Sequence, residues 1–377
     1  MKAAPSRELN LKGLVMRRGL KRVSSVLNPS RVSGIFAVMF LSAALAAAAD
    51  FNRDIFVLTS TNSATNDVVV FRLDTAGTPS LSLVTMLPTG GAGGAGGNAG
   101  AVQFNDGFGA VVNYGSNNVS RLVRDNDFIR VAGTISLAPN CVKPVSVALS
   151  GKQLFVVGAN CAESHLWPSG NPDGGVVALP DASAAQVAAG QSWAAVTLTS
   201  GSVLQLALTR GGALNGTSTT VTLPAGANDT PLGAAFWKDI LGLTPAHSPD
   251  SFALIDKNGD VFPVAGPQPP FPSNAPCWLA KGPGNIWYSG NSPGHAISIF
   301  FSDGQGGAFY KSVPLPGVPT DITVSSDQKW LAVIYTASDG SGGRVAVFSI
   351  DAYGDLTPVA TSNPVGVTAF NGVAISQ

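Results

Sequence analysis

Short apolar segments separated by turn residues run along most of the chain. One apolar segment recurs seven times, as RDIFVLTS, GFGAVVNY, KQLFVVGA, QSWAAVTL, KDILGLTP, GNIWYSGN and QKWLAVIY. Equivalent positions in these segments are separated by 54, 45, 39, 47, 46 and 44 residues, and they are Ile55, Gly109, Leu154, Trp193, Ile240, Ile286 and Trp330. Further apolar strands lie on either side of each segment, so the pattern predicts a repeat of four short strands.

The repeat predicts an all-β fold, a seven-bladed β-propeller. The pattern begins with a second strand, RDIFVLTS, and finishes with FNGVAISQ, which has the character of a first strand. We therefore expect the C-terminal strand to complete the N-terminal blade and to close the ring. Six or eight blades are the alternatives if the weak units at 182–208 and 231–255 are misassigned, and a β-sandwich or β-helix fits the two ends less well.

Composition agrees with strands and turns. Charged residues make up 12% of the chain, which contains 44 glycines and 26 prolines. Such a sequence is poor in the Glu, Lys, Arg and Leu of long helices, whereas Val, Thr, Ser and Gly suit strands and tight turns. The glycine-rich stretch GGAGGAGGNAG, residues 90–100, explains the long first separation as a loop insertion.

The first 49 residues differ from the remainder. They carry eight Lys or Arg and one acid, and they end in the apolar run IFAVMFLSAALAAAA at 35–49, which is short for a membrane span. We interpret 1–49 as a secretory signal peptide and 50–377 as one propeller domain. An uncleaved anchor and a transit peptide are the alternatives. The mature protein would be secreted or held at the cell surface, without a membrane span.

Removing the leader changes the charge balance. The whole chain carries 22 basic and 22 acidic residues, whereas 50–377 carries 14 and 21, a net charge of −7. A protein of that sign offers no electrostatic footprint for nucleic acid and no polybasic surface for anionic lipid. We therefore expect neither as a partner, and we expect a monomer.

Several segments resemble blades of the lactonase-type seven-bladed propellers. They are NAPCWLAKGPGNIWYSGNSPGHAISIF, GVPTDITVSSDQKWLAVIYTASDGSGGRVAVFSIDAYGDLTPV and GFGAVVNYGSNNVSRLVRDND. That family includes propeller phosphogluconolactonases and fungal carboxymuconate lactonising enzymes, often described as cyclases. The resemblance implies a site on one propeller face that uses His, Glu and Arg. Its motifs specify the fold better than the chemistry, and the family's functional residues do not match this chain one by one.

Scarce titratable residues give the candidate catalytic site. Glu163 is the only glutamate after the leader, and His165 follows it by two residues in CAESH. Propeller geometry places this segment, His247 in PAHSPD and His295 in NSPGHA in loops after second strands, which open on one face. We take His165, Glu163, His247 and His295 as candidate catalytic residues, with exposed loop residues as the alternative. Because no spacing matches a zinc motif, we expect neither a metal nor another cofactor.

The same face holds the entrances to the innermost strands. Candidate substrate-binding residues there are Lys143, Trp278, Asp321 and Asn371, together with Trp167 in the CAESH loop. Structural alternatives exist for several of them. Asp321 could cap backbone amides or, with Asn371, offer oxygen ligands to calcium, and the tryptophans could pack between blades.

Three cysteines remain to be placed. Cys141 should open an inner strand, and Cys161, twenty residues further on, should close the second strand of the same hairpin. In an oxidising compartment we expect these two residues to form a disulfide. Cys277 would then be a buried free thiol.

Together these features predict a secreted, lactonase-like propeller that acts on a small lactone or carboxylated cyclic substrate at the histidine-bearing face. The alternative is a catalytically silent propeller that binds a glycan, a protein or a small ligand. The scarcity of clustered Lys and Arg, which multiply carboxylated or phosphorylated substrates require, favours the alternative.

Overall fold

The computed structural model describes residues 54–225, 227–247, 252–264 and 275–377. These residues belong to one compact unit, Arg53–Gln377. The predicted signal peptide, 1–49, lies outside the described residues. Within the described ranges, no helix is long and apolar enough to cross a membrane.

Strands account for nearly all regular structure in these ranges. The first fourteen are β1 (Ile55–Ser60), β2 (Asp67–Asp74), β3 (Ser80–Pro88), β4 (Val102–Asn105), β5 (Phe108–Asn113), β6 (Asn118–Asp125), β7 (Phe128–Ser136), β8 (Ser146–Ser150), β9 (Gln153–Val157), β10 (Cys161–Leu166), β11 (Val177–Ala178), β12 (Ala184–Ala189), β13 (Trp193–Leu198) and β14 (Ser202–Leu208). The second fourteen are β15 (Leu214–Thr222), β16 (Pro231–Trp237), β17 (Ile240–Pro245), β18 (Phe252–Ile255), β19 (Val261–Val264), β20 (Pro276–Lys281), β21 (Ile286–Asn291), β22 (Ala296–Ser302), β23 (Gly307–Pro314), β24 (Gly317–Val324), β25 (Trp330–Ala337), β26 (Gly343–Ile350), β27 (Leu356–Thr361) and β28 (Asn371–Ser376). One short 3-10 helix spans Tyr114–Ser116.

The strands form seven four-stranded antiparallel sheets, which are the seven predicted blades. From the inside outward, blade one contains β28, β1, β2 and β3, and blade two contains β4 to β7. Blades three to seven follow in the same way, four consecutive strands each, beginning at β8, β12, β16, β20 and β24. The seven innermost strands contact one another in ring order, from β28 through β4 to β24 and back to β28.

Blade one confirms the predicted closure of the ring. Strand β28 pairs with β1 in antiparallel register, so that Val57 faces Ile375 and Thr59 faces Val373. The Thr59 hydroxyl also donates to the carbonyl of Gly372 at 2.7 Å. The two weak repeat units form blades four and five, so the ring has seven blades rather than six or eight.

The core is divided among the interfaces between blades. A cluster of buried apolar side chains lies at each of the seven interfaces. Second strands are buried on both faces because every blade packs between two others; in β1, for example, every residue after Ile55 is buried. This double burial is the physical reason for the seven apolar segments that made the repeat visible.

The connections between strands define two faces of the ring. The innermost strands begin at the upper face, where connections between blades and between second and third strands lie. They end at the lower face, where the turns from first to second and from third to fourth strands lie.

Candidate functional site

The predicted disulfide is confirmed. Cys141 and Cys161 are bonded, with their Cα atoms 5.3 Å apart. Cys161 is the first residue of β10, the third strand of its blade, rather than the last residue of the second strand. The bond therefore ties the upper end of β10 to the connection that leads into β8.

Cys277 is the buried free thiol that the sequence predicted. Its Sγ donates to the carbonyl of Ala275 at 3.3 Å. Burial raises the pKa of this thiol to about 11, so the thiolate that a nucleophile requires is scarce at neutral pH. Cys277 is consequently a packing residue of blade six.

The CAESH segment forms strand β10, so its placement in a loop was wrong. The connection from β9 needs only residues 158–160, and Glu163 and His165 pair in register with Val156 and Leu154 of β9. Both side chains lie on one face of the strand because they are two residues apart. Glu163 is 4% exposed and His165 is 1% exposed, so neither is a loop polar group on the upper face.

Glu163 and His165 nevertheless form a pair. Glu163 Oε1 lies 2.8 Å from His165 Nε2, and Glu163 Oε2 accepts the backbone amide of Ala138 at 2.9 Å. His165 Nδ1 lies 3.1 Å from the carbonyl oxygen of Gly170. Both ring nitrogens thus face oxygen atoms inside the fold.

The other two histidines are not joined to this pair by any hydrogen bond or ion pair among the described residues. His247 follows β17 and is exposed; its Nδ1 lies 2.9 Å from the Thr230 hydroxyl and 3.6 Å from the Asp229 carboxylate. His295 is half-buried before β22, and its carbonyl accepts the amide of Leu315 at 2.7 Å. The sequence grouping therefore contains one contacting pair and two separate residues.

Lys143 and Trp167 lie apart from each other. Lys143 is exposed on the upper connection into β8, with its Nζ 5.9 Å from the centre of the Tyr114 ring. Trp167 follows the last residue of β10, which places it at the lower end of blade three, and its half-buried indole packs on the cluster between blades two and three. Its Nε1 is buried and has no hydrogen-bond partner among the residues that the structure describes.

The glycine-rich insertion closes the upper end of the central channel. We call residues 98–100 the plug. Asn98 Nδ2 donates to the carbonyl of Val145 at 2.6 Å in the connection into blade three, and the Ala99 amide donates to Ala185 of blade four. On the other side of the channel, Trp278 of blade six donates from Nε1 to the Asn98 carbonyl at 3.2 Å.

Asp321 of blade seven fixes the last residue of the plug. Its Oδ2 accepts a hydrogen bond from the Gly100 amide at 3.1 Å, and its Oδ1 accepts one from the backbone amide of its neighbour Ile322 at 2.8 Å. These bonds match the amide-capping alternative for Asp321. Gly100 adopts a φ of +67°, and a Cβ there would lie 3.0 Å from the Ser146 hydroxyl, so only glycine fits this approach without strain.

Beneath the plug lies a cavity of about 200 Å³. Its lining runs from Gly100 and Asp321 to the ends of the inner strands at the lower face. Six alanines are among its lining residues, which are Ala148, Ala188, Ala189, Ala234, Ala235 and Ala280. The side-chain amides of Gln103 and Gln186 also line it, and their nitrogens flank Gly100.

Two titratable groups line the cavity. Burial raises the pKa of Asp321 to about 7, against the opposing effect of backbone amides that favour the ionised form. At the lower end, burial lowers the pKa of Lys281 to about 8. Lys281 Nζ donates to the carbonyls of Gly282 and Gly284 at 2.7 Å each, and it lies about 5.3 Å from the ring centre of Trp287.

Asn371 lies at the upper end of β28 and is buried. Its Nδ2 has no hydrogen-bond partner in the described structure. Asn371 is not among the residues that line the cavity, whereas Asp321 is. Of the five predicted substrate-binding residues, Asp321 lines the cavity and Trp278 holds the plug above it.

Sequence reasoning did not identify the plug, the two glutamines or Lys281. The plug carries no apolar periodicity, so its path across the channel left no signal. Gln103, Gln186 and Lys281 each lie in an innermost strand, where a polar residue in an otherwise apolar strand is the one signal that could have marked them.

Comparisons with known proteins establish the fold and leave the function open. No protein-family model matches the chain, and no curated protein sequence matches it. A protein of unknown function from Desulfotomaculum acetoxidans is similar in structure, with a TM-score of 0.64 and 12% identity over 86% of this chain and 99% of that one. A streptogramin B lyase is similar with a TM-score of 0.55 and 15% identity, over 73% and 86% of the two chains.

The lactonase-type resemblance has a weaker counterpart among solved structures. A Bacteroides uniformis protein assigned as a 6-phosphogluconolactonase gives a TM-score of 0.43 and 16% identity, over 84% of each chain. That similarity is too low to carry an argument about activity. Because the similar propellers include a lyase and a protein of unknown function, the comparisons place this chain among seven-bladed β-propellers and go no further.

Proposed function

We propose that the protein is a ligand-binding propeller that takes a small, neutral cyclic molecule of the lactone class into the cavity beneath the plug. The position of Asp321 is the observation that carries the proposal. Asp321 has a buried carboxyl group in a cavity whose other lining residues are mainly apolar, with six alanines among them. A titratable group with a strongly shifted pKa in such a cavity is a mark of a functional site.

The polar groups of the cavity suit a ligand with both donors and acceptors. Asp321 offers carboxyl oxygens, and the amide nitrogens of Gln103 and Gln186 lie beside Gly100 at the same end. The ligand needs no carboxylate of its own. Lys281, the cation at the other end of the cavity, already donates to three backbone carbonyls. A charged ligand would lose its hydration without a free cation to replace it.

The size of the cavity favours a single small ring. At about 200 Å³, it is smaller than the roughly 300–1,000 Å³ of pockets that hold drug-sized ligands. The six alanines contribute to this room because their side chains are small.

Lactone hydrolysis is the second candidate, and the pKa of Asp321 favours it. With a pKa of about 7, Asp321 populates both of its forms near neutral pH, as a general base should. Asp321 would take a proton from a water molecule whose oxygen attacks the lactone carbonyl. The glutamine amides would stabilise the oxyanion, the ring C–O bond would break, and the proton would pass to the departing alkoxide.

We further propose that residues 1–49 act as the signal peptide and that the protein works outside the cell. The disulfide supports this proposal because such bonds persist in oxidising compartments. In this setting the propeller domain, 50–377, is the functional form.

The experiment is calorimetry of the mature protein with γ-butyrolactone and δ-valerolactone, with hydrolysis followed in parallel by pH-stat. We expect Asp321→Asn to weaken binding about tenfold or more, and Ala235→Phe to block the cavity at its lower end. Lys143→Ala and His295→Ala on the upper face should bind as the parent does.

The outcomes separate the possibilities. Unchanged binding by Ala235→Phe, or loss of binding in Lys143→Ala, would move the site away from the cavity and contradict the proposal. Binding without alkali uptake in the pH-stat would support the binding module, whereas uptake that Asp321→Asn abolishes would support hydrolysis.

A further inference from the structure

A second cavity, of about 530 Å³, lies on the lower face between blades six and seven. One wall is the turn between β20 and β21, with Asn285. The other wall is the turn between β26 and β27, with Tyr353 and Asp355. Phe301 of β22 and Tyr310 of β23 complete it. We call it the aromatic cleft. It shares no lining residue with the cavity beneath the plug.

The aromatic side chains of the cleft are unusually open to solvent. Tyr353 is 79% exposed and Tyr310 is 46% exposed, which places both among the few large apolar side chains that are exposed in the described structure. The rings of Tyr310 and Phe301 lie 5.1 Å apart. Exposed aromatic faces gathered at one cavity indicate a binding surface for a ligand with an apolar face.

A charged pair supplies the polar side of the cleft. Lys311 Nζ lies 2.7 Å from Asp355 Oδ1 and joins blade six to blade seven. The pair is neutral as a whole, so the cleft does not select a charged ligand. Asp355 Oδ1 is buried and faces the lysine, so Oδ2 is the carboxylate oxygen that would accept from hydroxyl donors.

The turn that presents Tyr353 and Asp355 is held in place before any ligand binds. Asp351 Oδ1 accepts the amides of both residues at 2.8 Å. The buried Tyr288 hydroxyl donates to the Gly354 carbonyl at 2.9 Å from blade six. Gly354 has a φ of +82°, and a Cβ there would lie 2.2 Å from Ile286, so glycine is required for this close packing.

We propose that the aromatic cleft is a binding site for a neutral sugar of one or two rings. The C–H face of a sugar ring would stack on Tyr353 and Tyr310, and its hydroxyls would donate to Asp355 and bond to the Asn285 side chain. The volume fits a ligand of this size. A rigid turn reduces the ordering cost of binding. The site is independent of the function proposed for the cavity beneath the plug.

The test is saturation-transfer NMR and calorimetry of the mature protein with glucose, galactose, mannose and N-acetylglucosamine. We expect at least one sugar to bind. Tyr353→Ala should weaken that binding about three- to tenfold, while Tyr353→Phe, which keeps the ring, should stay within about twofold. Asp355→Asn should weaken binding about tenfold, because it removes charge-assisted hydrogen bonds.

Matched controls keep the result specific. Phe128→Ala removes an aromatic side chain that is 71% exposed on blade two, far from the cleft in sequence and in a different blade, and it should leave sugar binding unchanged. Asp321→Asn should also leave it unchanged, which separates this site from the lactone site. Absence of binding by every sugar, or equal weakening by Phe128→Ala and Tyr353→Ala, would overturn the proposal.

Discussion

The two faces of the ring use their polar groups differently. On the upper face the plug crosses the channel and bonds to Val145, Ala185, Trp278 and Asp321. The Cys141–Cys161 disulfide fastens the same side of blade three. On the lower face lie the aromatic cleft and the lower part of the cavity beneath the plug, and their linings include exposed tyrosines and small alanines.

This contrast teaches how to weigh scarce residues. Glu163 and His165 are rare in this chain, yet their partners are each other and two backbone groups inside the ring. The accessible space lies elsewhere and is lined by residues such as alanine, glutamine and tyrosine. The rare residues Glu163 and His165 thus form hydrogen bonds inside the fold. The cavity beneath the plug is instead recognised by the small side chains that line it.

Loss of β28 should lower the free energy of unfolding more than any other change, because this strand runs from the upper to the lower face as the inner strand of blade one. Deleting residues 371–377 leaves the inner edge of β1 unpaired and opens the ring. We expect the loss to exceed the roughly 5–15 kcal/mol of stability typical of a domain, giving insoluble or non-cooperatively unfolding protein in circular dichroism. Deleting Gln377 alone, which leaves β28 intact and removes side-chain contacts to 326–327, should cost less than about 1 kcal/mol.

The Glu163–His165 pair should stabilise the ring without contributing to binding in either cavity, because neither residue lines one of them. Glu163→Ala leaves a buried imidazole without its carboxylate, and we expect a loss of about 3–5 kcal/mol in urea unfolding. The double variant Glu163→Leu/His165→Phe should regain most of it, because apolar residues of similar volume can replace a buried pair. Lactone binding of the folded variant should match the parent, and lost binding would return the pair to a functional role.

Asp321, which lines the cavity beneath the plug, should make the stability of the protein depend on pH. The pKa of Asp321 in the folded protein is about 7 against an ordinary value of 3.8, so between these two pH values the folded state keeps a proton that the unfolded chain releases. The free energy of unfolding should therefore fall as pH rises from about 4 to 7, by at most about 4 kcal/mol. Asp321→Asn should flatten this part of the profile in denaturant titrations at stepped pH. A slope that persists in the variant would assign it to another group.

The disulfide should contribute less to the free energy of unfolding than the Asp321 and Glu163–His165 groups, and its effect should be confined to the upper side of blade three. Cys141→Ser/Cys161→Ser frees a loop closed over 20 residues, worth about 3 kcal/mol by chain entropy. Thermal unfolding should show the loss, and parent protein treated with a dithiol under unfolding conditions should match the variant. Sugar binding at the aromatic cleft should not change. A change there would mean that the two faces are coupled.

Most of the fold was readable from the sequence for a physical reason. Strands buried on both faces must be apolar throughout, so seven of them at similar spacing revealed the blades, including β13 and β17 of the weak units. The disulfide was predictable because Cys141 and Cys161 flank one antiparallel hairpin. These features depend on local pattern and on a regular repeat.

The site depends on features that leave no such pattern. In β10, polar side chains at Glu163 and His165 point into an interface, so the segment resembled a loop. The plug is a glycine-rich insertion whose partners lie in four different blades. Alanines from four inner strands, β8, β12, β16 and β20, line the cavity, and the space that such small side chains leave shows only once the strands are assembled.

Ring closure also sets an order in time. The inner edge of β1 is completed by β28, more than 300 residues later in the chain. At synthesis rates of about 5–20 residues per second, that edge waits for roughly 15–60 s before its partner emerges. During this interval blade one presents apolar side chains and unpaired backbone groups of the kind that chaperones bind and that seed aggregation. Vulnerability during biogenesis thus lies at the same seam that, once closed, completes blade one as a four-stranded sheet.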